Sequence, residues 1–229
     1  MTILIAAGGT GGHLYPAVAL AREFQRRDPS TVIVFVGTAK GIETKVLAHE
    51  GVPLELITAK PVMGKGLGEA LRGLLSVPIS LWQSMRLISR YRADLVIGVG
   101  GYTSPTMLVA AAFKGIARVI LEPNAYPGMA NTAVGPCAQR VFLGFESAAD
   151  KFPKAKVRVF GSPIRQAFLD GVTISPSATE GRSRLLIFGG SQGAKAINSA
   201  VIDGLGALAQ KLPRLSITHQ TGEADHARV

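Results

Sequence analysis

The stretch Thr2-Ile3-Leu4-Ile5-Ala6-Ala7-Gly8-Gly9-Thr10-Gly11-Gly12-His13 decides the fold. A short apolar run, the length of a buried strand, ends in a turn almost without side chains. Pro16 is then expected to open a helix. Glycine lets backbone approach a ligand closely. The helix N-terminus behind it offers free N–H groups and a positive dipole end, which suit a phosphate or sugar phosphate. The spacing is not that of the dinucleotide fingerprint, and no Gly-Lys-Ser/Thr follows for a nucleotide triphosphatase. His13 stands at the lip of the turn, within reach of a substrate hydroxyl.

The theme recurs. Leu95-Val96-Ile97-Gly98-Val99-Gly100-Gly101-Tyr102 runs into Ser104-Pro105, with Ser104 expected as N-cap and Pro105 as the first helical residue. Leu185-Leu186-Ile187-Phe188-Gly189-Gly190-Ser191-Gln192-Gly193 precedes a helical pattern from Ala194. Such strand–glycine–helix junctions belong at the carboxyl ends of parallel strands, where open α/β sheets bind ligands.

Bulk properties narrow the choice. The chain has 229 residues, 47% of them hydrophobic and 17% charged, enough for one large or two ordinary domains. A single cysteine, Cys137, leaves no internal disulfide framework. The first residues lack the basic region of a signal peptide, and the uncharged stretch 95–113 is split by glycines, Ser104 and Pro105. A cytoplasmic chain without a transmembrane helix is expected. A formal net charge of +10 suits an anionic membrane surface or a phosphorylated substrate. With aromatic residues at 6% and no nucleic-acid module, nucleic acid is not an expected partner.

Strands are expected at 3–7, 32–36, 54–57, 95–99, 119–121, 140–143, 157–160, 184–188 and 215–219. Helical patterns fall at 16–27, 43–50, 67–91, 105–114, 146–152 and 194–210. The Ser-, Thr-, Gly- and Pro-rich segment 171–182 reads as a linker. The organisation is therefore a Rossmann-like first domain over 1–163, a linker over 164–183 and the opening βαβ part of a second over 184–229. One βαβ unit buries too little to stand alone, so the second sheet is expected to be completed by further residues. Within 67–91, Leu71, Leu74, Leu75, Pro78, Trp82 and Met85 share a face expected to pack as core. Arg72, Arg86 and Arg90 flank it with Ile79, the pattern of an interfacial helix, and Pro78 is a candidate kink.

In order along the chain, Gly8–His13 with Pro16, Gly98–Tyr102, Glu122-Pro123-Asn124, Gly161-Ser162-Pro163-Ile164-Arg165 and Gly189–Ala194 resemble the motifs of the MurG family of peptidoglycan glycosyltransferases, over all 229 residues. The resemblance implies the GT-B architecture of two Rossmann-like domains. It implies inverting transfer of N-acetylglucosamine from UDP-N-acetylglucosamine to the C4 hydroxyl of undecaprenyl-diphosphate-linked MurNAc-pentapeptide. The site would be peripheral, at the cytoplasmic face of the inner membrane, and 229 residues alone would be inactive for want of the remaining donor domain. His13 would be the base. Thr10, Gly11 and Gly12 would lie against the donor diphosphate and sugar, Asn124 on the sugar and Arg165 on the diphosphate. Ser191, Gln192 and Gly193 would complete the donor contacts. Gly100, Gly101 and Tyr102 would hold the acceptor diphosphate. The family's usual His-Glu-Gln-Asn reads Leu121-Glu122-Pro123-Asn124, and its Gly-Asn-Pro reads Gly161-Ser162-Pro163. Other GT-B transferases on lipid acceptors, or a non-catalytic lipid or nucleotide-sugar binding module, are the alternatives.

The chemistry fits these residue types. Histidine's ordinary pKa lies near neutrality, as a base for a sugar hydroxyl requires. Glycine-turn N–H groups, a helix N-terminus and Arg165 suit a departing diphosphate. There is no Asp-x-Asp pair, so neither a metal site nor a cofactor is expected. His49, His219 and His226 stand outside any motif.

Overall fold

The computed structural model describes residues 1–39, 41–59, 67–170, 183–190 and 193–229, with 67–75 as backbone only. The chain divides into two compact units, Met1–Val172 and Thr173–Val229. In the first, β1 (Thr2–Ala7), α1 (Gly11–Arg27), β2 (Val32–Gly37), α2 (Glu43–Glu50), β3 (Leu54–Leu56), α3 (Leu67–Tyr91), β4 (Leu95–Gly100), α4 (Ser104–Phe113), β5 (Ala117–Glu122), α5 (Met129–Val134), β6 (Arg140–Leu143), β7 (Val157–Val159) and α6 (Gln166–Asp170) follow in turn. The strands form one seven-stranded sheet in the order β3-β2-β1-β4-β5-β6-β7. Every pairing is parallel. The fold class is therefore α/β, as the alternation of apolar runs and helices predicts.

The strands are apolar on both faces because helices cover both. Leu4 and Ala6 of β1 pack with Val34, Val36 and Val96 in a core that includes α4. Ile3, Ile5 and Ala7 face the opposite core, with Leu14, Ala17 and Val18 of α1. Strand order reverses direction at β1, so the crevice between the carboxyl ends of β1 and β4 is the topological switch point.

Several local expectations need correction. Helix α1 begins at Gly11, and Pro16 lies inside it. The N–H groups of His13 and Leu14 both reach the Thr10 carbonyl, at 3.3 and 3.2 Å, so the first turn is wound before the proline. Pro16 then costs the N–H bond it cannot donate. Helix α4 begins at Ser104 with Thr103 in the capping position. Ser104 does not cap because its hydroxyl is turned to the Asn131 side chain, 3.3 Å away. Residues 146–151 form a 3₁₀ helix. The short helices α5 and α6 carry too few turns to show a period.

Helix α3 runs unbroken through Pro78. Its buried face is Ser76, Ser80, Ser84, Leu87 and Ile88, whereas Pro78 and Trp82 are exposed and Met85 is half-buried. The expected core face is thus rotated: small serines admit α4 closely, and the Ser80 hydroxyl meets Thr106 Oγ1 at 2.9 Å. The side chains of Leu71, Arg72, Leu74 and Leu75 lie outside the described residues.

The second unit holds β8 (Ser183–Phe188), α7 (Lys195–Lys211) and β9 (Leu215–Gln220), with β8 and β9 paired in parallel. Asn198 is buried and donates to the Thr221 carbonyl at 2.9 Å and to Asp225 at 2.8 Å.

Candidate functional site

The glycine turns after β1 and β4 meet backbone to backbone. A Cβ on Gly101 would lie 2.5 Å from the Gly8 carbonyl oxygen, and Gly101 has φ +79°. A Cβ on Gly100 would lie 2.8 Å from the His13 ring. No other residue fits these two positions, and the fit presses the His13 imidazole against the β4 turn. Thr10 is extended and sits in the capping position before α1, so the first-turn N–H groups of Gly11 and Gly12 have no intrahelical acceptor.

His13 is half-buried between two partners. Its Nδ1 lies 3.3 Å from Thr10 Oγ1. Its Nε2 lies 3.3 Å from Asn124 Nδ2, across more than a hundred residues of sequence. Asn124 follows β5, whose last residue, Glu122, is fully buried. The Glu122 carboxylate accepts the Asn124 backbone N–H at 3.0 Å and its side-chain amide at 2.9 Å on one oxygen. On the other it accepts Gly128 N–H at 3.1 Å and Asn131 Nδ2 at 3.0 Å. Every donor is neutral. The flanking Leu121 and Pro123 are buried, so these departures from the family pattern serve the interior.

A second buried carboxylate lies on the other side of the turn. Glu43, at the start of α2, accepts Gly9 N–H at 3.2 Å, Thr38 N–H at 2.9 Å and the Thr38 hydroxyl at 3.1 Å. It ties the glycine turn to the β2–α2 loop.

Of the expected site residues, the fold brings His13, Thr10, Gly11, Gly12, Gly100, Gly101 and Asn124 to one crevice. Tyr102 is exposed beside it, on the lip of an apolar cavity of about 470 Å³ between α3, α4 and α5. Val77, Leu81, Pro105, Val109 and Met129 line that cavity. Arg165 lies elsewhere on the unit, stacked 4.7 Å from the Tyr15 ring and 5.1 Å from Phe168. Tyr15 is two residues from His13, so Arg165 is held toward the same helix. Gly193 belongs to the second unit, where φ +73° and a close Thr221 carbonyl require glycine. Ser191 and Gln192 lie outside the described residues. Among the described residues, no group of three or more His, Cys, Asp or Glu side chains could hold a metal.

Sequence reading missed Glu43 and Asn131. Glu43 carried a signal, an acid in the first turn of a helix just after a glycine. Asn131 sits in a helix too short to be predicted.

The model of the glycosyltransferase family 28 N-terminal domain matches residues 3–143, and that of the family's C-terminal domain matches 184–229. The UDP-N-acetylglucosamine--N-acetylmuramyl-(pentapeptide) pyrophosphoryl-undecaprenol N-acetylglucosamine transferase of Anaeromyxobacter sp. (strain K) is 43% identical over the whole chain, which spans 60% of that relative. The enzyme of the same name from Syntrophus aciditrophicus (strain SB) is 46% identical over 97% of the chain and 62% of its own length. The chain therefore spans about three fifths of these relatives. Acinetobacter baumannii MurG shares the fold with a TM-score of 0.70 at 24% identity, covering 99% of this chain and 68% of that one. A Neisseria meningitidis UDP-GlcNAc 2-epimerase, solved with UDP-GlcNAc, does so at 0.66 and 15%, covering 100% and 67%. The fold is of the GT-B type.

Proposed function

The chain belongs to glycosyltransferase family 28, and on that premise we propose that it is part of an inverting N-acetylglucosaminyltransferase of peptidoglycan synthesis. The donor is UDP-N-acetylglucosamine and the acceptor the C4 hydroxyl of undecaprenyl-diphosphate-linked MurNAc-pentapeptide. The observation that carries this reading is the His13–Asn124 pair at the β1/β4 switch point, beside N–H groups free to meet a diphosphate. His13 Nε2 takes the hydroxyl proton as the acceptor oxygen bonds the anomeric carbon. The bond to the diphosphate breaks with its electron pair, and UDP departs.

Thr10, Gly11 and Gly12 lie against donor diphosphate and sugar, Asn124 holds the transferred sugar, and Arg165 meets diphosphate charge. Ser191, Gln192 and Gly193 add donor contacts from the second unit. Gly100, Gly101 and Tyr102 hold the acceptor diphosphate, and the apolar cavity beside them takes the start of its lipid chain. Residues 1–163 serve as the acceptor domain, 164–183 as linker and 184–229 as part of the donor domain.

A lipid acceptor places the work at a membrane surface, here the cytoplasmic face of the inner membrane. The outer face of α3 suits it: Ile79 and Trp82 are 51% and 56% exposed, with the Arg86 guanidinium 5.6 Å from the Trp82 ring. Among the described residues no helix is long and apolar enough to cross a membrane.

The test is turnover of a lipid-linked acceptor by a protein carrying this chain at the full length of its relatives. His13→Ala should lower turnover by about a hundredfold or more, the usual scale for a general base. Arg165→Ala should instead raise the donor KM, because it meets charge already present in the ground state. Near-normal turnover by His13→Ala removes the base, and a preference for diacylglycerol as acceptor replaces the substrate.

A further inference from the structure

We propose that Glu122 is a positioning residue which, through Asn124, fixes the tautomer of His13. The inference rests on the reading of His13 as the base. Its starting point is that an ionised carboxylate only accepts hydrogen bonds. Glu122 Oε1 lies 2.9 Å from the Asn124 side chain, so the amide must present its NH₂ group there. Turning the amide over would set its carbonyl oxygen against the carboxylate. The second hydrogen of that NH₂ then faces His13 Nε2 at 3.3 Å. A ring nitrogen facing a donor must be the acceptor, so Nε2 carries the lone pair and Nδ1 the proton. The Nδ1–H group has its own acceptor, Thr10 Oγ1, at 3.3 Å.

This order is the reverse of the Nε2–H form that predominates in free histidine, and it matters for a base. Nε2 is the nitrogen beside Asn124 and the Gly100 turn, on the crevice side. Only in the Nδ1–H form can that nitrogen take a proton from a bound hydroxyl, which then displaces the Asn124 N–H from its single lone pair. Glu122 is fully buried and does not reach the crevice itself. The carboxylate is in turn held by Gly128 and Asn131. Asn131 also donates to the Val99 carbonyl at 3.1 Å and accepts from Ser104. The far end of the relay is therefore anchored in β4 and α4 and cannot turn. Among the described residues the Asn124 side-chain amide hydrogen-bonds Glu122 and His13, so it is the link that turns over if the carboxylate is neutralised.

The test uses the 229-residue chain with ¹⁵N-labelled histidine rings, read by long-range ¹H–¹⁵N correlation about two units above the ordinary histidine pKa of about 6.5. His13 is assigned among the four histidines with His13→Gln. The parent should show His13 as Nδ1–H. Glu122→Gln keeps the shape and offers Asn124 a donor, letting its amide flip; the tautomer ratio should shift at least tenfold toward Nε2–H. Asn124→Ala, at a half-buried position, should return His13 toward the free-histidine ratio and decides the matter if Glu122→Gln does not fold. An Nε2–H parent, or a ratio unmoved by a folded variant, overturns the relay. Turnover of the same variants, measured on the protein at the full length of its relatives, separates this from the functional reading. Lost turnover with an unmoved tautomer sinks the relay and leaves the base. A shifted tautomer with unchanged turnover upholds the relay and removes His13 as base.

Discussion

The strand-end crevice and the outer helices carry similar charges and satisfy them in opposite ways. Glu43 and Glu122 are fully buried and are met by neutral donors held in place by the sheet. On the outside, Glu23 of α1 is paired with Arg26 and Arg27, both at 2.7 Å, and all three side chains are exposed. Glu55 takes Arg90 at 3.1 Å and the Tyr91 hydroxyl, which raises the phenol's pKa. A buried carboxylate without a cation is costly unless its lone pairs are filled, and here they fix backbone geometry around a site. An exposed pair loses little when broken, because water replaces the partner. Charge inside this unit therefore specifies position, and charge outside governs what the surface attracts.

The largest expected effect is Glu43→Ala. It strips the acceptor from Gly9 N–H and Thr38 N–H in half-buried bonds and empties a fully buried side-chain site; an unmet donor costs about 1–3 kcal/mol when buried and less where water reaches it, so a loss of about 2–3 kcal/mol is expected. Urea unfolding measures it, and the loss should be the same at low and at high salt, since the group is screened by protein. A loss under about 1 kcal/mol, or one that salt removes, would erase the distinction between the regions.

A finer comparison separates the two buried acids. Glu43→Gln and Glu122→Gln each turn one accepting oxygen into a donor, and each should cost about 1–2 kcal/mol. Only Glu122→Gln should alter the His13 ring signals, because only Glu122 bonds a side chain that touches His13. Among the described residues, Glu43 bonds the turn and Thr38. If Glu43→Gln moves the ring as much, the turn rather than Asn124 sets the imidazole.

The same contrast explains what the sequence reveals. Strand positions, the parallel class and the glycine turns are legible because each follows from a local pattern: apolar runs, then residues without side chains. His13 is legible from its place at the lip of the turn and Asn124 only through family motifs; that their side chains touch depends on β5 lying beside β4, which no local pattern encodes. The α3 face is misread from periodicity because serines form the buried stripe. A hydroxyl that bonds a neighbouring hydroxyl or the preceding turn packs as closely as an alanine, and Ser84 does so with the Ser80 carbonyl at 2.7 Å. Trp82 is consequently left outside, where the membrane reading needs it.

On that outer face, Arg86→Ala should weaken co-sedimentation with anionic vesicles about fivefold at low salt. A basic residue near such a surface contributes about 1 kcal/mol. The difference should fade in high salt, where the Debye length falls to about 3 Å at 1 M. Binding that ignores both the substitution and salt would mean that the apolar Ile79 and Trp82 act alone, or that another surface is used. A parent that never sediments would remove the membrane face.

The smallest expected effect belongs to Glu23. Its hydrogen bonds to Arg26 and Arg27 lower its pKa from 4.5 to about 2. The sign follows from the folded value lying below the unfolded one: the pair's contribution is present at neutral pH and is lost as pH falls from about 4.5 through about 2. Because the three side chains are exposed, Glu23→Gln should lower the melting temperature only slightly above pH 5, taken as roughly the upper edge of the carboxylate range. The difference should shrink on acidification and also in concentrated salt. Carboxyl NMR titration checks the midpoint directly. A midpoint at the ordinary carboxylate value would show the pair to be open in solution, while a salt-insensitive drop as large as that of Glu43→Gln would place α1's outer face among the structural charges and dissolve the contrast with the crevice.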